Sequence, residues 1–263
     1  MASVAPMTRW IELDGVVNMR DLGGLPTRDG RGTREGRLIR SDNLQDLSEG
    51  DVRHLVEELG VTDVVDLRSH VEYEVTGEGP LRATPLTHHH FSLLREDVDP
   101  DTTIEEALAL RWQRDEPVVR DAEFWGRHYT GYLSTRPDSV AAALAAVRDS
   151  AGGTVVHCAA GKDRTGTVVG MALAVAGVPE EEIIADYVRT AERIQQIMDR
   201  LSEVEPYRRT LPDHSVDEQT PRAEAMEAVL THLEEGYGGT VGWLTASGWT
   251  HADVEALRLR LTA

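Results

Sequence analysis

The chain has 263 residues, and 46 acidic against 27 basic side chains leave a formal net charge of −19. So acidic a surface argues against a nucleic-acid coat or a general binder of anionic membranes, both of which need broad basic faces. With 40% hydrophobic and 28% charged residues, and no run near the ~18 uninterrupted apolar residues of a membrane span, the composition excludes wholesale disorder and an integral membrane protein.

The opening residues lack the apolar core of a secretion signal, so a cytoplasmic protein without stable membrane association is the expectation, and residues 1–263 suit one domain. In chain order, a β-rich run at Trp10–Leu13 is followed by Gly15–Gly36, rich in Gly, Asp and Arg, with a hairpin turn at Asp29–Gly32. Arg37–Ile39 reads as a strand. Ser48–Leu59 reads as a helix capped by Ser48 with an apolar face of Val52, Leu55, Val56 and Leu59. Strands over Val61–Leu67 and Pro85–Phe91 come next, then helices over Thr103–Arg114, Asp121–Leu133 and the Ala-rich Asp138–Arg148 behind Pro137. A last strand at Thr154–His157 precedes helices near Thr165–Ala176, Pro179–Thr190, Ala191–Val204, Arg222–Tyr237 and Ala252–Leu261. Glu203–Pro221 is loop-like, either a lid or a plain surface connection. Strands alternating with helices, then a run of helices, predict an α/β fold: a mainly parallel central sheet flanked by helices, with a helical C-terminal layer.

Cys158 is the only cysteine, so there is no internal disulfide and no thiolate metal cage. His88–His90 cannot converge on one ion, because neighbours in a strand point to opposite faces. No metal and no cofactor are expected. Lys162 is the only lysine, four residues after the only cysteine. The surrounding segment, GGTVVHCAAGKDRTGTVVGMALAVAG over Gly152–Gly177, is a buried-type strand, a short polar loop and a helix. Such a loop turns successive backbone N–H groups inward at a helix N-terminus, where the dipole adds roughly half a positive charge; it is an anion cradle. Gly161 permits the tight path, Ala159 and Ala160 leave the rim open, and Arg164 can fork two oxygens of a tetrahedral oxyanion. The same field favours the Cys158 thiolate, a nucleophile aimed at phosphorus, and Thr165 can donate a hydrogen bond to the sulfur as it leaves.

HCAAGKDRTG resembles the HCxxGxxR[ST]G signature of the cysteine-dependent protein tyrosine phosphatases, and the Lys162-Asp163 pair resembles an atypical bacterial branch of them. VNMRDLGGLPTRDGRGTREGRLIRSDNLQDLS at Val17–Ser48, VTDVVDLRSHVEYE at Val61–Glu74, ADYVRT at Ala185–Thr190 and EEGYGGTVGWLTASGW at Glu234–Trp249 are similar to further family elements. The resemblance implies a protein tyrosine phosphatase-like fold and dephosphorylation of phosphotyrosine, phosphoserine/threonine or phosphoinositides. It also implies a helical lid, although residues 191–224 match only loosely.

Phosphate monoester cleavage needs a general acid for the leaving oxygen. The Trp-Pro-Asp loop that supplies it in many relatives is absent. Asp163 in the cradle and Asp66 at a strand end are both candidates; the resemblance favours Asp163 and implies that Lys162 binds a further substrate phosphate. Asp66 reads equally well as the ion-pair partner of Arg68 or Arg164. Asp97, Asp99 and Asp101 are outsiders, His157 suits a buried loop-holding role, and Arg20 with Asp21 suits struts under the cradle. The expectation is therefore a phosphate monoester hydrolase working through a phosphocysteine, with Cys158, Asp163, Arg164, Thr165 and Asp66 catalytic and Ala159, Ala160, Gly161 and Lys162 binding substrate. Its partner would be a phosphorylated protein, inositol lipid or small metabolite, and no nucleic acid. The alternatives are a phospho-ligand binding module without turnover and a sulfurtransferase using the same anion loop. A thiol-relay reductase would need further cysteines.

Overall fold

Period-two alternation builds the sheet. Leu38, Val65 and Val156 enter one core, while their neighbours Ile39, Val64 and Val155 enter another that includes Met19, Leu44 and Leu55. The computed structural model describes residues 9–94, 120–209, 211 and 215–263. The helix expected over Thr103–Arg114 and the outsiders Asp97, Asp99 and Asp101 lie outside them. Strands β1 (Arg9–Trp10), β2 (Arg20–Asp21), β3 (Leu38–Ser41), β4 (Val61–Asp66), β5 (Thr87–His90) and β6 (Gly153–His157) form one sheet in the order β1-β2-β3-β6-β4-β5. Pairings on the β1–β3 side are antiparallel and the remaining three are parallel. Ser41, His157, Asp66 and His90 end one row of this register, so β3, β6, β4 and β5 deliver their following loops to one sheet edge. That carboxyl edge is where parallel sheets place ligands.

The helices are α1 (Glu49–Arg53), prolonged by a wider turn over His54–Glu58, α2 (His70–Thr76), α3 (Ala122–Thr135), α4 (Pro137–Asp149), α5 (Asp163–Ala176), α6 (Glu180–Arg189), α7 (Ile194–Glu203), α8 (Val216–Gln219), α9 (Ala223–Tyr237), α10 (Thr240–Ala246) and α11 (His251–Leu261). Ser48 caps α1 in a box with Asp51, as the sequence signals, and Asp121 caps α3. Helix α5 runs through the centre: from Arg164 to Ala176 every residue but Ala174 is buried. Its apolar side chains are enclosed on all sides, where a truncation such as Leu173→Ala costs ~2–5 kcal/mol. Among the described residues no helix is long and apolar enough to cross a membrane.

Several expected boundaries move for physical reasons. The first strand ends at Trp10 rather than Leu13, although Ile11 N–H still donates to Met19 O at 3.0 Å. β2 was not expected at all, since Arg20-Asp21 is charged; both are buried because ion pairs and hydrogen bonds satisfy them. α5 starts at Asp163, two residues before the expected Thr165, so Asp163 and Arg164 stand on the helix's first turn instead of in the loop. α2, α8 and α10 are additional short helices, and α8 interrupts the loop-like Glu203–Pro221. The three adjacent histidines separate as expected: His88 lies against Leu81 O, His89 against Asp63, and His90 against Arg68 O.

Candidate active site

The loop between β6 and α5 is tied down from outside by its carbonyls. Asn43 N–H donates to Ala159 O at 3.0 Å; Asn18 Nδ2 donates to Ala160 O at 2.9 Å and Gly161 O at 3.2 Å; Arg40 Nη2 donates to Gly161 O at 2.6 Å. In a planar trans peptide C=O and N–H point opposite ways, so three carbonyls turned outward aim the N–H groups of Ala160, Gly161 and Lys162 inward. No side chain caps α5, so its first amides also stay open to an anion. Gly161 has φ +64°, and a Cβ there would lie 2.4 Å from Ser41 O; only glycine fits.

Buried arginines carry this floor. Arg20 Nε and Arg40 Nη1 meet the two oxygens of Asp186 at 2.8 and 2.6 Å, and Arg20 Nη1 fixes Asn18 Oδ1 at 2.7 Å. Burial, with Arg40 alongside, pulls the Arg20 guanidinium down to about 10. Arg20 is thus the expected strut, whereas Asp21 braces the hairpin by accepting from Gly23 N–H and Gly36 N–H. Asn18, Arg40 and Asp186 sit inside the quoted motifs, yet sequence reasoning gave them no role.

Cys158 is 1% exposed at the bottom of the loop. Arg164 forks onto Glu72, with Nη1–Oε2 at 2.5 Å and Nη2–Oε1 at 2.9 Å. Glu72 also accepts from Ser69 N–H at 2.7 Å and from the Tyr207 hydroxyl at 2.8 Å. Burial pushes the Glu72 carboxyl up, but Arg164 and these donors outweigh it and hold the group well below the usual carboxylate range. Arg164 is raised in turn: burial opposes, while the charges of Glu72 and Cys158 prevail. Glu72 is the main residue that sequence reasoning missed. Its signal was Ser69-His70-Val71-Glu72, a capping-box pattern, and that box starts α2.

The two acid candidates separate. Asp66 accepts from Arg68 N–H at 2.9 Å and Arg68 Nη2 at 2.5 Å, with His157 Nε2 at 3.7 Å. Despite burial, His157 and Arg68 keep its carboxyl below its ordinary value. Of the two ion-pair partners expected for it, Arg68 is the one it takes. His157 is driven down to about 4 by burial, hence neutral, and its Nδ1–H lies 3.3 Å from Cys158 O, the loop-holding role expected. Asp163, one-fifth exposed, faces the Tyr129 hydroxyl through Oδ1 and lies 3.5 Å from Lys162 Nζ. The Lys162 ammonium is buried over the Trp125 ring, 4.3 Å from its centroid, and donates to Gln219 O at 2.8 Å and Gln219 Oε1 at 2.9 Å. It points to α8 rather than into the open cradle. Thr165 Oγ1 is buried without a hydrogen-bond partner among the described residues.

Described residues of α7 and the stretch that follows it pack against the cradle. Ile194, Ile197, Leu201 and Tyr207 cluster with Ala159, with Met198, Val204, Leu211 and Val216 beside them. Arg200 on α7 pairs with Asp42 and donates to Asn43 Oδ1 at 3.2 Å and Asp46 Oδ2 at 3.0 Å. A separate cleft of ≈ 550 Å³, between Arg28, Gly177, Leu233 and Arg258, lies at the far end of α5. No group of three potential metal ligands occurs among the described residues.

This geometry meets the comparisons with known proteins. The chain is 31% identical to the triple specificity protein phosphatase PtpB of Mycobacterium tuberculosis over 276 residues, covering 94% of this chain and 97% of that one. It is 32% identical to a tyrosine-protein phosphatase of Nostoc commune over 130 residues, 45% of this chain and 41% of the other. Among solved structures, the core catalytic domain of the Saccharomyces cerevisiae PP-IP phosphatase SIW14 in complex with citrate aligns over 86% of this chain and 91% of its own, with 12% identity and a TM-score of 0.36. A tyrosine phosphatase family profile matches residues 11–263, and the chain belongs to that family.

Proposed function

We propose that this phosphatase hydrolyses phosphoesters through a phosphocysteine on Cys158. The thiolate attacks phosphorus as the P–O bond to the leaving group breaks; Asp163 gives its proton to the departing oxygen while the cradle amides and Arg164 hold the equatorial oxygens. Asp163 then takes a proton from water, whose oxygen displaces sulfur, and inorganic phosphate and the thiolate result. Thr165, whose hydroxyl has no other partner among the described residues, donates to the sulfur as it leaves. Asp66 is a strut that fixes Arg68 and neutral His157, and Glu72 aims Arg164. The observation that carries this reading is the sole thiol of the chain opening a loop of outward-tied carbonyls, six residues before a forked arginine. With Cys158 covered, substrate enters when α7 and α8 lift as a lid, which also frees Lys162 for a second substrate phosphate.

The relative's triple specificity supports a phosphoprotein as substrate, and the net charge of −19 favours a soluble target over an acidic membrane. A panel of phosphopeptides, inositol phosphates and nucleotides ranked by kcat/KM tests the substrate class; the highest values should fall on phosphopeptides. For the chemistry, Cys158→Ser should fold yet lose turnover of p-nitrophenyl phosphate by several orders of magnitude, because a serine hydroxyl is not ionised there. Activity within about tenfold of the unsubstituted enzyme would sink the mechanism. Added EDTA should change nothing.

A further inference from the structure

The mechanism leaves unused a buried hydroxyl pair behind Asp163. Tyr129 on α3 and Tyr187 on α6 are 0% and 1% exposed, and their hydroxyl oxygens are 2.8 Å apart. Tyr129 donates its single proton to Asp163 Oδ1, so the bond between the tyrosines must run from Tyr187 to Tyr129. Burial raises both phenols, which keeps them donors throughout the working range. The rings are fixed as well: Tyr129 lies edge-to-face on Tyr187, centroids 6.0 Å apart, and stacks on Tyr132 at 6.2 Å. Tyr187 directly follows Asp186, which grips Arg20 and Arg40 beneath the loop. One segment of α6 therefore sets both the cradle floor and the start of the hydroxyl chain. Among the described residues no hydrogen bond ends on Asp163 Oδ2.

We propose that Tyr129, held by Tyr187, is a positioning residue that pins Asp163 Oδ1 so that Oδ2 carries and receives the proton exchanged with the leaving group and with water. This rests on the reading of Asp163 as the general acid. The groups facing Asp163 are Lys162 from the loop, Tyr129 and Tyr132 from α3, and Tyr187 from α6; Cys158 and Arg164 act on Tyr132. Removing one hydroxyl leaves the others in place.

The test is the pH profile of kcat/KM for an alkyl phosphate such as phosphoserine, beside p-nitrophenyl phosphate. Loss of a donor to the carboxylate favours its protonated form, so in Tyr129→Phe the alkaline limb should move up by about one pH unit. The plateau should fall about tenfold for the alkyl ester and little for the aryl one, which needs less protonation. Tyr187→Phe should shift the limb the same way by less; it leaves the Asp163 contact intact and carries the test should Tyr129→Phe fail to fold. In an Asp163→Asn background, Tyr129→Phe should add nothing. An unmoved limb, equal losses on both esters, or the full Tyr129→Phe loss persisting in that background overturns the proposal. If Asp163→Asn harms the alkyl ester selectively while Tyr129→Phe does not, the positioning role alone fails. If Asp163→Asn harms both esters alike, the acid assignment fails and the proposal falls with it.

Discussion

At the scale of single residues, the site depends on atoms that cannot be exchanged. Gly161 combines a left-handed φ with a Cβ position 2.4 Å from Ser41 O, so Gly161→Ala must distort the loop. The conformational penalty alone is roughly 1–2 kcal/mol, before the steric clash is counted. Thermal unfolding should show at least that loss, and turnover should fall further than stability because the inward amides lose their common focus; a variant with unaltered midpoint and kcat would contradict this account of the loop. Glu72 is the complementary case. It is buried and ionised against Arg164, and removing a buried partner of that kind typically costs 3–5 kcal/mol.

Among the elements, the polar contacts of the described residues that hold the segment α7–α8 to the cradle include Arg200 on Asp42, Tyr207 on Glu72, and Gln219 on Lys162. Arg200 is the outermost of these, and burial pushes up the carboxyl of its partner Asp42 although Arg200 pulls it down. Losing one such charge-assisted contact should raise the open population about tenfold, so Arg200→Ala should speed alkylation of Cys158 by iodoacetamide by a similar factor. An unchanged rate would mean that this contact does not hold the segment down. The sequence made β6, the cradle and α5 legible because a β-branched run, a Gly-containing loop and a long apolar helix each follow a local rule. It hid β2 and the role of Glu72, because a charged residue buried through partners over 90 positions away, as Glu72 and Arg164 are, has no local signature. Lys162 illustrates the same limit: its place in the loop was evident, but not that its ammonium turns to Gln219, 57 residues on.

For the whole molecule, acid stability follows from the groups under the cradle. His157 falls from an ordinary 6.5 to about 4 on burial, so between these values the unfolded chain binds a proton that the folded one refuses. Stability should therefore fall as pH drops from about 6.5 to about 4, by up to ~3 kcal/mol. Glu72, Asp66 and Asp186, all held below their ordinary values, lose their contributions only lower still, as pH falls from the carboxylate range through their depressed values. Unfolding midpoints measured against pH should show the first loss above pH 4, and His157→Gln should flatten that limb; an identical slope in the variant would remove His157 as its cause.

The phosphocysteine is the claim on which the rest depends, and rapid-quench mass spectrometry of the enzyme during turnover of p-nitrophenyl phosphate tests it directly. One phosphoryl group per chain should accumulate on the peptide containing Cys158, and it should be absent from Cys158→Ser. Turnover without any labelled chain, or a label on His157 or on any other residue, would contradict the mechanism.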